Sequence, residues 1–371
     1  MIIAICVATP FQSLNAINLA MHSLDDSIEK ILFYRNYSAI TEKILQGISQ
    51  YTIFDEIYEY DLVKKDNKSL YLLNDLIQAI NPGLFLKWIT KKHIDVKKKK
   101  IDMITVTSGT EFEVALTRIF PDAKTIAYDD GLGSYVGDIV HDHKLKWIWR
   151  VLGRRTDAIN PISLYVNNVE FCESTLSPKK IALESLNMMN KADKKLLYNI
   201  FGMSDINLYS IKRLVYLSQP VDELGKDLEK IENNIEVSLS VFEKDGIYRK
   251  HPRDTHEMKV KFAEDKTGCL WELICGEKID DNNILLSVCS SAQIMPKILY
   301  DKEPWIIFTY RLYGLENSSV YINRFKPIIQ IIKQKYRNAE KIVEPSSVIE
   351  LIEIIRNIIE FHKIKRGKNE N

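Results

Sequence analysis

One local pattern recurs along the chain: a short apolar, β-branched run, a stop at turn or hydroxyl residues, then a stretch with helical periodicity. The first copy is Met1-Ile-Ile-Ala-Ile-Cys-Val-Ala8, halted at Thr9-Pro10 and followed by Leu14, Ile17, Ala20 and Met21 on one helical face. Lys30–Tyr34 precedes a helix carrying Ile40, Ile44, Leu45 and Ile48; Phe54–Tyr58, Asp102–Thr107 and Lys124–Tyr128 are further strand candidates. Runs this apolar suit strands buried on both faces, and strand–helix alternation with right-handed crossovers builds a doubly wound parallel sheet. The pattern lapses around Pro161 and Pro178 and resumes at Arg213–Leu217, Ile247–Lys250, Asn283–Cys289 and Trp305–Thr309. The expected fold class is therefore α/β with two Rossmann-like domains. Residues 1–155 form the first, 156–205 a crossover or linker with a short strand at 164–166 and a helix at 180–201, and 206–345 the second. Residues 346–371 form a C-terminal helix and basic tail.

Composition removes several function classes. A chain of 371 residues with 46% hydrophobic and 27% charged residues is globular, not disordered, and long enough for two domains. The formal net charge of +1 lacks the basic excess of a nucleic-acid binder, so no nucleic-acid partner is expected. Five scattered cysteines with no Cys-x-x-Cys pair indicate neither a zinc site nor a disulfide framework, and point to a reducing compartment. The opening apolar run has no basic flank and stops at Pro10, so it reads as a strand and not a signal peptide. No run reaches the roughly 18 apolar residues that span a bilayer. The expected location is cytoplasmic. Lys144–Arg150, with Trp147 and Trp149, and the tail Lys363–Lys368 read as an amphipathic helix and a solvated charge run, or as a peripheral contact with the inner membrane face.

The stretch that carries chemistry is Tyr128-Asp-Asp-Gly-Leu-Gly-Ser-Tyr135. Asp129 and Asp130 stand where a buried strand ends, and open α/β sheets bind ligands at that end. Two adjacent carboxylates push one proton affinity upward, which suits a base near neutrality, and Gly131 lets the backbone turn tightly. A plain Asp-Gly turn and an off-spaced dinucleotide loop, Gly131-x-Gly133-x-x-x-Gly137, are the alternatives. Ser108-Gly109-Thr110, at a strand-to-helix turn, offers hydroxyls and free amides to a ligand or simply caps the helix. His141-Asp142-His143, with Asp138 nearby, has metal-ligand residue types, but beyond the two histidines no third well-spaced ligand follows. In the second half, Lys250-His251-Pro252-Arg253 places an imidazole between cations, suited to an anion, and Ser290-Ser291 opens a helix with hydroxyl and amide donors.

The order of these motifs resembles bacterial sialyltransferases of glycosyltransferase family 52, which make lipooligosaccharide and capsule; capsular polysialyltransferases share the motifs. The likeness is clearest over Asp102–Tyr135, returns at Ser218-Gln219-Pro220 and Lys250–Arg253, and continues more faintly at Glu272 and Ser290-Ser291. It implies a GT-B-type fold, two parallel-sheet domains facing a central cleft, and inverting transfer of sialic acid from CMP-sialic acid to a galactoside-type hydroxyl of a surface glycan. By this resemblance Asp129 is the base with Asp130 supporting it. His251 protonates or hydrogen-bonds the departing phosphate, Pro252 and Arg253 flank it, Glu272 holds the ribose, and Ser290 and Ser291 hold the phosphate. Ser108, Gly109, Thr110 and Gly131 line the acceptor side. Gln219 stands where a smaller residue is expected, in a glycine-serine-proline. No metal or other cofactor is required, since one phosphate leaves and no Asp-x-Asp motif is present. Expected partners are CMP-sialic acid, an oligosaccharide acceptor, the membrane face and, left open, a second copy of the chain. Elongation of polysialic acid and a non-catalytic nucleotide-binding role are the alternative functions.

Overall fold

The computed structural model describes residues 1–62, 71–92, 94, 96, 99–107, 110–136, 151, 160–174, 177, 179–203, 207–225, 227–319 and 321–369, with the backbone alone for 71–75, 324 and 362–369. The chain divides into two compact units, Met1–Gly202 and Met203–Asn371.

In the first unit the strands are β1 (Ile2–Val7), β2 (Glu29–Arg35), β3 (Glu56–Tyr60), β4 (Met103–Thr105), β5 (Lys124–Tyr128), β6 (Leu164–Val166) and β7 (Lys180–Ala182). They form one sheet in the order β3-β2-β1-β4-β5-β6-β7, with every neighbouring pair parallel. Ile3, Ala4, Ile5, Leu32, Ile104 and Ala127 are fully buried, as helices on both faces require. On one face Phe33, Tyr60, Phe85, Phe112 and Leu116 close the core, with the Tyr60 and Phe112 rings stacked 3.9 Å apart. Burying side chains of this size contributes about 1.5–3 kcal/mol each. From β1 the chain steps outward through β2 to β3, then returns to β1's other side with β4. The loops after β1 and β4 therefore diverge at the carboxyl edge, the place where open α/β sheets bind ligands.

Of the stretch 156–205, expected as a linker, the described residues up to Gly202 belong to this unit. Leu164–Val166 and Lys180–Ala182 extend the sheet, and the helix expected over 180–201 is confined to Lys191–Ile200. That helix packs on Ala39–Ile48, where a side chain at Gly47 would meet the Ile200 carbonyl at 2.8 Å. Asn18 also donates to the Glu184 carbonyl at 2.8 Å. The boundary moves because these contacts are long in sequence, which a local pattern does not register.

In the second unit the strands are β8 (Leu214–Leu217), β9 (Gly246–Arg249), β10 (Ala263–Glu264), β11 (Ile284–Ser287), β12 (Trp305–Phe308) and β13 (Ile342–Val343). Their order is β10-β9-β8-β11-β12-β13, again with parallel neighbours, so the loops after β8 and β11 diverge in the same way. The C-terminal helix Val348–Asn369, expected as a separate segment, buries Leu351, Ile355, Ile358 and Ile359 within this unit. The fold class is the expected one: two doubly wound parallel α/β units in tandem. All five cysteines are free and buried.

Candidate functional site

The carboxyl edge of the first unit is ordered by helix Pro10–Asn18. Thr9 caps it, and Pro10 supplies a first turn that needs no amide hydrogen. Gln12, Asn15 and Asn18 follow at a spacing of three and share one buried face, each at most 1% exposed. The Gln12 amide crosses the switch point: its Nε2 donates to Thr107 Oγ1 at 3.0 Å and to Asp130 Oδ1 at 2.5 Å. Asn15 Nδ2 donates to the Asp129 carbonyl at 3.0 Å, and Asn15 Oδ1 accepts from Asn167 at 3.0 Å. Helix Glu111–Ile119 brings Glu113, which accepts from Thr107 Oγ1 at 2.7 Å and from the Thr110 amide at 2.8 Å. Burial pushes the Glu113 carboxyl up to about 7 against these bonds, and the Asp130 charge adds to the rise.

The two aspartates have different surroundings. Asp129 is fully buried. One oxygen accepts from the Gly131 amide at 2.8 Å, and the other from the Tyr135 hydroxyl and from Asn167 Nδ2 at 2.8 Å. Burial raises its carboxyl above the ordinary range while these donors pull it down. Gly131 has φ +101°, a backbone state that L side chains avoid, so the turn requires glycine for its conformation and not for room. Asp130 is part-exposed, and its own amide donates to Ser134 Oγ at 2.8 Å. Thr110 caps helix Glu111–Ile119 through a reciprocal box with Glu113, so its hydroxyl has a structural task. Ser108, Gly109, Asp138, His141, His143, Trp147 and Trp149 lie outside the described residues.

In the second unit, the loops after β8, β9 and β11 bring several expected residues to one carboxyl edge. Ser218 Oγ accepts the His251 amide at 2.8 Å, joining the first two loops. The Arg253 amide donates to His251 Nδ1 at 3.1 Å, which makes Nδ1 an acceptor and leaves the ring proton on Nε2. Burial, then the Arg253 charge, holds the imidazole below its ordinary value, so it is neutral at pH 7. Pro252 is an exposed turn residue between them. Arg253 itself is occupied by Glu223, with Nη1 at 2.8 and 3.0 Å from the two carboxylate oxygens. Gln219 seals the diverging loops: Oε1 accepts from the Cys289 amide at 2.9 Å and Nε2 donates to the Cys289 carbonyl at 3.2 Å. The bulk that marks Gln219 in the sequence thus serves the scaffold.

Ser290 caps the turn Ser291–Gln293, its Oγ accepting from the Ala292 amide at 3.3 Å. Trp271 Nε1 donates to the Ala292 carbonyl at 2.7 Å, which fixes the start of helix Trp271–Lys278, where Glu272 sits, against the Ser290-Ser291 loop.

Local sequence reasoning singled out neither Gln12, Asn15, Thr107, Glu113, Tyr135 nor Asn167. The amides on helix Pro10–Asn18 carry a legible signal, since three at a spacing of three beside Leu14 and Ile17 are polar groups on a face due to be buried. Among the described residues no cluster of three or more His, Cys, Asp or Glu side chains is placed to hold a metal ion. Nor is any helix among them long and apolar enough to cross a membrane. A cavity of about 580 Å³ lined by Met1, Asp102, Phe120, Asp122 and Lys124 opens at the amino edge of the first sheet, the end opposite Asp130.

No family model matches the sequence, and no curated protein matches it. Among solved structures, a ugt transferase from Siraitia grosvenorii in complex with UDP is similar at 9% identity, with a TM-score of 0.48, over 98% of this chain and 93% of that one. A putative UDP-N-acetylglucosamine 2-epimerase from Listeria monocytogenes is similar at 11% identity and TM-score 0.49, over 98% and 96% of the two chains. The spinosyn rhamnosyltransferase SpnG gives 10% identity and TM-score 0.46, over 95% and 99%. The fold stated here rests on the strand orders of the two sheets and not on these likenesses.

Proposed function

We propose that the chain is an inverting sialyltransferase that moves sialic acid from CMP-sialic acid to a galactoside-type hydroxyl of a bacterial surface glycan. The observation that carries the reading is the division of labour within the acidic pair. Asp129 is consumed by the turn, and Asp130, part-exposed at the carboxyl edge of the sheet, is aimed by a buried amide. The base is therefore Asp130, with Asp129 supporting the loop, which exchanges the roles the resemblance implies.

Asp130 takes the proton of the acceptor hydroxyl as its oxygen attacks the anomeric carbon. The bond from that carbon to the phosphate oxygen breaks with its electron pair going to CMP, and attack from the opposite face inverts the centre. A phosphate is a good leaving group, so a hydrogen bond from the neutral His251 Nε2–H suffices and full proton transfer is not needed. Glu272 and the Ser290-Ser291 loop would receive the nucleoside and phosphate. The transfer would use no metal, since one phosphate leaves and no pyrophosphate has to be bridged.

The test is incubation with CMP-sialic acid and an array of galactosides, read by mass spectrometry. A product heavier by one sialyl residue, together with CMP, is expected. A long sialyl ladder from a short acceptor would convert the reading to polysialic-acid elongation. CMP binding with no transfer to any acceptor would overturn it in favour of a non-catalytic protein.

A further inference from the structure

Every hydrogen-bonding position of the Gln12 amide is committed. Oε1 accepts from the Ala8 amide at 2.6 Å and the Thr9 amide at 3.1 Å, so the oxygen cannot trade places with the nitrogen without facing two donors with a donor. That forces the NH2 group toward Thr107 Oγ1 and Asp130 Oδ1. Thr107 must then accept with its hydroxyl oxygen and send its hydrogen onward, which it does to Glu113 Oε1 at 2.7 Å. The Thr107 amide donates to the same oxygen at 3.1 Å. The chain of bonds has one direction, and it ends with an N–H pointing at a carboxylate.

We infer that Gln12 is the positioning residue of this site: its locked amide fixes an N–H on Asp130 Oδ1 and so aims the carboxylate, and Thr107 and Glu113 hold the amide in that sense. An N–H donor fixed on a carboxylate oxygen stabilises the charged form over the protonated one, so loss of such a donor is read as a rise in the titration midpoint. Glu113 is close enough to feel the Asp130 charge, and burial raises its carboxyl to about 7. The Gln12 amide and the Thr107 hydroxyl together link the two carboxyls, of which Asp130 is the part-exposed one at the sheet edge.

The plainer alternative is that Gln12 is only the third residue of a capping box with Thr9. The two roles make opposite demands. A cap needs an acceptor oxygen at this position and is served as well or better by glutamate. Positioning needs the N–H, which glutamate lacks. For its catalytic consequence the inference rests on Asp130 being the base, and the experiment separates the two questions.

In the full-length protein, Gln12→Glu keeps the cap and sets a second carboxyl against Asp130. The titration midpoint of the Asp130 carboxyl, read by carbon-13 NMR without any substrate, should rise by about one unit or more. Transfer from CMP-sialic acid should fall at least about tenfold at pH 7, with the acid limb of kcat/KM moving to higher pH. Thr107→Val, which removes the acceptor for Gln12 and its link to Glu113, should shift the midpoint the same way by less, and Thr107→Ser should restore it. A folded Gln12→Glu protein whose Asp130 titrates as in the parent overturns the inference, whatever the activity does. Should that variant not fold, an unmoved midpoint in Thr107→Val overturns it instead. A shifted midpoint alongside full transfer by Asp130→Asn supports the positioning and removes Asp130 as the base, whereas a shifted midpoint in a parent protein that transfers to no acceptor supports the positioning and fails the proposed function alone.

Discussion

Asn167 Nδ2 lies 2.8 Å from Asp129 Oδ2, and this contact ties the loop after β6 to the turn after β5. It makes Asp129 a structural carboxylate: two side chains and two backbone amides converge on a group with no exposure.

Replacing Asp129 by alanine strands those donors in a dry site, and each buried group left unpaired costs about 1–3 kcal/mol. We expect Asp129→Ala to lower the unfolding free energy by about 3 kcal/mol or more in denaturant titration. Asp130→Asn, which can keep a hydrogen-bonding carbonyl toward Gln12, should stay within about 1 kcal/mol of the parent while losing transfer by about 10²–10⁴-fold. The reverse ranking, with Asp130 the costlier for stability, would return Asp129 to the role of base.

Glu113 makes stability depend on pH with a definite sign. Its folded-state value of about 7 lies above the ordinary 4.5, so the native chain holds a proton that the unfolded chain has released. Stability is thus greatest at the acid end and falls as pH rises from about 4.5 to 7, by an order of 3 kcal/mol if no other group intervenes. Glu113→Gln should flatten the first unit's unfolding midpoint over that range. A parent midpoint that climbs between pH 5 and 7 in the manner of a Glu113-free protein would show that the carboxyl is ionised when folded.

Under the proposed function His251 donates as a neutral imidazole. His251→Ala should cost about 10²–10⁴-fold in transfer, whereas His251→Asn, with an amide donor at similar reach, should recover part of it. Because the imidazolium is not required, kcat/KM should show no alkaline limb near the histidine's own value, which burial and Arg253 hold below 6.5. Activity that declines through that value as pH rises would mean the charged ring is the working form.

Gln219 holds both backbone groups of Cys289 as well as the Ser287 hydroxyl. Gln219→Ala should lower the thermal midpoint of the second unit, at about 1 kcal/mol per lost bond, and weaken CMP binding by loosening the Ser290-Ser291 loop. CMP affinity that improves on this truncation would indicate that the side chain obstructs the nucleotide.

The sequence by itself determined the two sheets. Apolar runs closed by turn residues and followed by amphipathic helices state strand, direction and crossover locally, so β1, β5, β8, β11 and β12 fall within the runs Met1–Ala8, Lys124–Tyr128, Arg213–Leu217, Asn283–Cys289 and Trp305–Thr309. It also placed Asp129, Asp130 and His251 at strand ends, since the end of an apolar run is visible in one dimension. What only the tertiary structure decided is which carboxylate is buried. Gln12 and Asn167 stand 118 and 38 residues from their aspartate partners. Whether a carboxyl is encased by donors or left at an edge depends on groups that meet only after β1, β4, β5 and β6 have been laid side by side.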